Sequence, residues 1–246
     1  IIDAETHQIP KIWKTIGDEI LFVNRVESVT QLGAYIAAFN KTLMEFGEGI
    51  WDQHSLNTKG NGWIAAFPSP NCSIKVQSTG MEDPLSGLGD LISEEFETDV
   101  DSNPDQYDFL GKGIDSGFRI ARNSTVNTFT ISPALAFLLV KARTNRDATG
   151  FSCDFRFHEP QVFKGVVGAQ PYPVVSIDTI RNDEEKSLKT LEARLLRRPN
   201  VVDEHDDLRS YLEKYISFHR IEMPCLKLNS AEAAPEMPAH YRDYLL

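Results

Sequence analysis

The segment around Gly17 is the feature that most constrains how this chain can fold. Two short apolar runs, residues 9–13 and 20–23, flank a Gly-Asp pair. Short strands on either side of a glycine are typical of a β-hairpin, because glycine readily adopts the backbone angles of a tight turn. Asp18 would then project a carboxylate from that turn. Taken alone, such a Gly-Asp pair is ordinary turn chemistry.

The pattern after this hairpin predicts a mixed fold of helices and strands. Residues 28–46 carry apolar side chains at spacings of three and four, which predicts an amphipathic helix that begins at Ser28 and stops at Gly47. Ser132-Pro133 opens a second helix. We predict strands at these ranges: 63–67 with 72–76 as its partner, 153–158, 162–167 and 174–177. These elements together indicate an α+β fold.

Composition narrows the class of protein. The chain has 246 residues and a net charge of −11, which argues against nonspecific binding to nucleic acid or to an anionic membrane. A local pocket of Lys and Arg could still bind a nucleotide. The three cysteines, Cys72, Cys153 and Cys225, show no CxxC spacing, which favours a reducing compartment. With no apolar run approaching eighteen residues, we expect a soluble cytoplasmic protein.

Two regions stand apart from this pattern. Residues 79–106 contain nine acidic residues and no Lys or Arg, and apolar side chains there predict one short helix. This acidic segment is either a solvated insertion or a lid or docking segment beside a site. Helices predicted at 183–196 and 203–218 form a C-terminal helical appendage. We therefore divide the chain into a catalytic domain, residues 1–180, and the appendage, residues 181–246.

Residues 107–121 read Y-D-F-L-G-K-G-I-D-S-G-F-R-I-A and, together with the W-K-T-I-G-D-E hairpin, carry a resemblance. They are similar to the D-x-x-G-x-x-V-N-x-A-x-R-L segment and the K-T-I-G-D hairpin of the class III nucleotidyl cyclases. By this resemblance Lys14 and Asp108 contact the base, Asp18 is a metal ligand, and Arg119 stabilises the transition state. Residues 163–166, F-K-G-V, resemble a late family strand whose lysine, here Lys164, holds the triphosphate.

Two departures from the family qualify this resemblance. Asp115 stands where the family usually has asparagine, so it either accepts a hydrogen bond from a ribose hydroxyl or caps the following helix. The first metal-binding aspartate of the family lies on a strand well upstream of the hairpin, whereas this sequence begins at Ile1. We therefore expect a ferredoxin-like cyclase sandwich whose first strand and helix lie outside this sequence.

The resemblance implies a chemistry and an assembly. A cyclase joins the ribose 3′-oxygen to the α-phosphorus and releases pyrophosphate, with two Mn²⁺ or Mg²⁺ ions at each site. In the family, two subunits form composite sites, so we expect a homodimer in which Asp18 and Arg119 serve opposite sites. A catalytically inactive cyclase-like module that binds a nucleotide or a partner is the alternative from another class.

The sequence leaves more than one possibility for the base of the nucleotide that is cyclised. The acidic segment, the run that begins at Phe163 and the helical tail resemble the pyrimidine cyclases of bacterial Pycsar antiphage systems. That likeness implies cyclic UMP, or cyclic CMP, as a messenger to a separate effector. A lysine and an aspartate together suit adenine or cytosine, which present an acceptor beside an amino group, so an adenylyl cyclase stays open.

Overall fold

The computed structural model describes residues 9–76, 94–145, 151–195, 205–229 and 231. Within them the protein is a mixed α+β structure built on small sheets. Its strands are β1 Lys11–Ile16, β2 Glu19–Val23, β3 Asn61–Gly62, β4 Cys72–Lys75, β5 Tyr107–Leu110, β6 Thr128–Ile131, β7 Phe155–Val162 and β8 Pro171–Asp178. Its helices are α1 Val29–His54, α2 Glu94–Ser102, α3 Lys112–Ile120, α4 Pro133–Thr144, α5 Asp183–Leu195 and α6 His205–Phe218.

The largest sheet has the strand order β3-β6-β8-β7. The β3–β6 pair is parallel and the other two pairs are antiparallel. Alternate side chains of β6, β7 and β8 point to one face, where they meet α1, α4 and α6 in the main hydrophobic core. The most deeply buried members of this core are Val29, Phe129, Ile131, Leu135, Leu139, Phe155, Val175 and Leu212.

The opposite face of this sheet carries half-buried polar pairs. Arg156 Nη2 donates to Asp178 Oδ2 at 2.6 Å, and His158 Nε2 lies 2.7 Å from Ser176 Oγ. Burial, and secondarily the positive charge of Arg156, lower the pKa of His158. These pairs satisfy polar groups that the sheet buries on the side away from the main core.

Two antiparallel strand pairs form a second packing unit. The predicted hairpin is confirmed as β1 and β2, joined at Gly17 with φ +62°. The β4 strand pairs with β5 and not with residues 63–67, so the pairing predicted for residues 72–76 was wrong. Side chains from both pairs bury an aromatic cluster around Trp13.

The first helix starts as predicted but extends further. Ser28 caps it, because its hydroxyl accepts a hydrogen bond from the backbone N–H of Gln31. The predicted stop at Gly47 was wrong, since α1 continues to His54 and ends at Ser55, where φ is +55°. A Cβ at Gly47 would lie within 2.6 Å of the Thr58 side chain, so this glycine serves close packing inside the helix.

Two predicted strands are absent from the described chain. In the region around residues 63–67, only β3 forms strand hydrogen bonds. The apolar side chains after β3 pack into the aromatic cluster, but their backbone pairs with no strand. The strand predicted at residues 162–167 was wrong as well, because β7 ends at Val162 and a turn follows. The observed order among the described residues is β-β-α-β-β-α-β-α-β-α-β-β-α-α, with β5 and β6 as the strands that the sequence pattern missed.

The C-terminal helices differ in their packing. Helix α6 places Leu208 and Leu212 in the main core, whereas α5 has no buried residue. Beyond α6, Lys227 and Leu228 accept hydrogen bonds from the backbone N–H groups of Val29 and Thr30, at 2.8 and 3.1 Å. The division of the chain at residue 180 stays a prediction.

Candidate functional site

Lys14 and Asp108, the two residues expected to contact a base, lie together. The Lys14 Nζ to Asp108 Oδ1 distance is 2.6 Å, although the residues are 94 positions apart and belong to β1 and β5. Their side chains are 34% and 32% exposed, so the ion pair is partly shielded but open to a ligand from one side. Asp108 Oδ1 also accepts a hydrogen bond from the backbone N–H of Phe109 at 3.0 Å. The pair thus presents a cationic donor beside an anionic acceptor.

The indole of Trp13 supports this pair. Its Nε1 donates to the carbonyl oxygen of Tyr107 at 3.1 Å, and its ring centre lies 4.2 Å from Lys14 Nζ. The Phe109 ring packs edge-on against it at 4.9 Å. A cation over an indole face is attracted by the ring quadrupole. Trp13 therefore restricts the position of the Lys14 ammonium group by packing against it. The hairpin sequence did not predict this role of Trp13.

Helix α3 carries the two predicted catalytic residues. Arg119 Nε donates to Asp115 Oδ2 at 2.8 Å, one helical turn away, and this hydrogen bond is the main reason that the pKa of Arg119 is raised. The neighbouring Phe118 ring lies 6.0 Å from the Trp13 ring. The helix that bears Arg119 is thereby connected through aromatic packing to the support of the Lys14–Asp108 pair.

Asp115 does not cap α3, so that alternative for its role is wrong. Its backbone N–H already donates within the helix, to the Gly111 carbonyl at 3.0 Å. The cap comes from Asn71, whose Oδ1 accepts from the Gly113 N–H at 3.0 Å and whose Nδ2 donates to the Ala66 carbonyl at 2.9 Å. No local sequence pattern predicts this long-range cap.

Lys164 occupies a turn beside Arg119 rather than a strand. The Val166 N–H donates to the Phe163 carbonyl at 3.2 Å, and Gly165 adopts φ +81°. A glycine at the third position with positive φ is the requirement of a type II turn. A Cβ on Gly165 would lie 3.7 Å from Arg119 Nη2, so the turn and the guanidinium are neighbours.

Asp18 is exposed at the tip of the β1–β2 hairpin. Within the described residues, no group of three or more His, Cys, Asp or Glu side chains could hold a metal ion. A two-ion site needs more than one carboxylate. The described part of the chain supplies Asp18 as a single oxygen ligand and does not by itself fit the expected pair of ions.

The described end of the acidic segment is docked next to the Lys14–Asp108 pair. Lys11 Nζ donates to the last carbonyl oxygens of α2, those of Asp101 and Ser102, at 2.9 Å each. A cation at this end is favoured by the helix dipole. The Tyr107 hydroxyl donates to the Asp99 carboxylate. Burial, followed by this bond, raises the pKa of Tyr107 to about 12, and the same bond lowers the pKa of Asp99. Residues 79–93 of the acidic segment lie outside the described residues.

Comparison with known proteins adds no relative. No protein-family model, curated protein or solved structure was found to match this chain. Among the described residues, no helix has the length and apolar character to cross a bilayer.

Proposed function

We propose that this protein is a nucleotidyl cyclase that converts a nucleoside triphosphate to a 3′,5′-cyclic nucleotide and pyrophosphate. The observation that carries the proposal is the 2.6 Å pairing of Lys14 with Asp108. These residues come from two separate motifs of the class III cyclase resemblance, and nothing in their local sequence requires them to meet. The α+β structure is compatible with the ferredoxin-like cyclase sandwich that we propose for the fold.

Base recognition is the role proposed for Lys14 and Asp108. The two side chains form an ion pair with each other. A base edge with an acceptor next to an amino group can take one hydrogen bond from the ammonium and give one to the carboxylate. The partial exposure of both groups allows this exchange without unfolding the hairpin.

Phosphate chemistry is the role proposed for Arg119 and Lys164. The fixed fork of a guanidinium suits the oxygens of a pentavalent phosphorus, where negative charge develops in the transition state. Lys164 projects from an adjacent turn and offers a movable positive charge to the leaving phosphates. Asp115, paired with Arg119 at 2.8 Å, orients the guanidinium and can accept from a ribose hydroxyl.

The proposed assembly is a homodimer with composite sites. Bound Mn²⁺ or Mg²⁺ would lower the charge on the attacking oxygen and on the phosphates. Asp18 would give one of the oxygen ligands to these ions. Because Asp18 is exposed at a hairpin tip, it is accessible to a second copy of the chain.

For the product we propose cyclic UMP, acting as a messenger in bacterial antiphage defence, by the resemblance to the Pycsar pyrimidine cyclases. The Lys14–Asp108 pair favours a second candidate, an adenylyl cyclase, and is equally suited to cytosine. Uracil presents a different edge and would need further donors. The base is therefore the first property to measure.

The test is to incubate the full-length protein with ATP, GTP, CTP and UTP separately, with Mn²⁺, and to identify cyclic products by mass. Cyclic UMP or CMP supports the pyrimidine cyclase, and cyclic AMP supports the second candidate. Arg119→Ala should abolish turnover while the dimer persists, whereas Arg194→Ala, an exposed arginine of α5, should not change it. Wild-type turnover by Arg119→Ala, or no product from any nucleotide, would refute the proposal.

A further inference from the structure

Arg122 lies beside the phosphate-binding residues proposed above but belongs to none of the motifs. It sits in the 3-10 turn Ala121–Asn123 that directly follows α3. Its guanidinium carbon lies 4.8 Å from the centre of the Phe163 ring. Phe163 is only 1% exposed and immediately precedes Lys164 in the chain. The buried ring therefore fixes Arg122 and Lys164 as neighbours.

The charge of Arg122 is not neutralised by the described residues. None of their carboxylates forms an ion pair with it, whereas Arg25, Arg119 and Arg156 each pair with an aspartate. The Arg122 side chain is exposed, in a chain whose net charge is −11. An arginine held on an aromatic ring loses less side-chain freedom when it binds an anion.

Three cations border one turn. Arg119 lies next to Gly165, Arg122 lies on Phe163, and Lys164 stands between them in the turn. Residues three apart in a helical segment project to the same side, about 5 Å apart along the axis. This displacement is of the size that separates the first and last phosphorus atoms of a triphosphate. If Arg119 contacts the α-phosphate, Arg122 lies one helical turn further from the base site.

The backbone after Lys164 holds an unusual conformation. Val167 and Ala169 have φ of +39° and +59°, on either side of Gly168 at +65°. This backbone conformation is unfavourable for a non-glycine residue and persists only where the surroundings enforce it. Buried Val166 supplies part of that enforcement by packing with Phe163. The turn that presents Lys164 is therefore fixed against α3 before any ligand binds.

We infer that Arg122 is a third phosphate-binding cation, which contacts the terminal phosphate and selects a triphosphate over a diphosphate. This inference rests on the proposed function for the identity of the substrate. The inference predicts how tightly the protein binds inorganic polyphosphates, and this binding can be measured without any enzymatic turnover. Arg122 would add one charge-assisted, forked contact that a shorter polyphosphate cannot reach.

The experiment is calorimetric titration of the full-length protein with inorganic triphosphate and with pyrophosphate. Arg122→Gln should weaken triphosphate binding about tenfold or more, the effect of one lost charge-assisted hydrogen bond, and pyrophosphate binding much less. Arg122→Lys, which keeps the charge, should recover part of the affinity. Arg194→Gln removes an exposed arginine from α5 and should change neither.

Several results would overturn the inference. These are wild-type triphosphate affinity in Arg122→Gln, an equal loss for both anions, or the same loss in Arg194→Gln. If Arg122→Gln fails to fold, the triphosphate affinity of Arg122→Lys is compared with that of the wild type. The inference then requires a lower affinity in Arg122→Lys, because an ammonium group cannot fully replace the forked donors of a guanidinium. A protein that makes no cyclic nucleotide but binds triphosphate through Arg122 would refute the cyclase and keep this inference.

Discussion

Replacement of Gly117 by alanine is expected to destabilise the protein because α3 packs directly onto an indole at this residue. A Cβ at Gly117 would lie within 2.6 Å of three ring atoms of Trp63. The flat ring cannot rotate away freely, since it also packs against Phe118 at 5.3 Å. The cyclase pattern has alanine here, and in this chain the Trp63 ring occupies the space of its methyl group.

The size of the effect follows from two opposing terms. Overpacking a filled site costs about 1–3 kcal/mol, while alanine in place of glycine inside a helix gains up to about 1 kcal/mol. The overlap is well inside ordinary van der Waals contact, so the overpacking term should win by about 1–2 kcal/mol. For a chain of this size that lowers Tm by about 2–8 °C. Relief of the clash would move α3 and, with it, Arg119.

Gly49 in α1 provides the matched control. A Cβ there meets no atom within 4 Å, so Gly49→Ala keeps only the propensity gain and should raise Tm by about 2–4 °C. Thermal unfolding followed by circular dichroism measures both variants against the wild type. A Gly117→Ala protein at least as stable as the wild type would refute the close packing of α3 on Trp63.

Three further predictions concern stability and reactivity. A double-mutant cycle of Lys14→Ala and Asp108→Ala, measured by urea unfolding, should give a coupling of about 1 kcal/mol for a partly exposed ion pair, and a zero value would show that the pair does not stabilise the fold. Folding lowers the pKa of His158, so the stability contributed by the neutral imidazole is present above the usual pKa of 6.5 and is lost as pH falls below it. Between pH 7 and pH 5 the free energy of unfolding in urea should therefore decrease, and His158→Gln should make that decrease smaller. An equal decrease in His158→Gln would assign the pH dependence to other groups. Burial raises the pKa of the Cys153 thiol, so a thiol reagent at pH 8 should modify exposed Cys225 first, and equal rates would contradict the burial of Cys153.

The elements that local periodicity specifies were predictable from sequence. The hairpin around Gly17, the cap at Ser28 and the helix opened by Pro133 all depend on residues close together in the chain. The missed features depend on distant partners. Gly47 packs closely against the side chains of Arg181 and Thr58, which are distant in sequence, and β4 pairs with β5 across a gap that no local pattern reports.

The candidate site was predictable in its residue types but not in its geometry. The resemblance selected Lys14 and Asp108, yet only the folded chain shows that they touch. A continuous apolar run such as residues 63–67 is equally typical of a strand and of an irregular packed segment. The sequence alone therefore could not decide which of the two this segment forms. Asn71 and Arg122 carry no sequence pattern, because their roles arise from a long-range cap and a distant phenylalanine ring.

The hydrogen bonds between Lys227, Leu228 and the start of α1 have a consequence for synthesis of the protein. The ribosome makes the N–H groups of Val29 and Thr30 about 200 residues before the carbonyl groups that satisfy them. At about 5–20 residues per second, that interval lasts about 10–40 s. The leucines that α6 adds to the main core are also made late in that interval. Until Lys227 and Leu228 have been made, the first N–H groups of α1 lack these hydrogen-bond partners, so the start of this helix can be completed only late in synthesis.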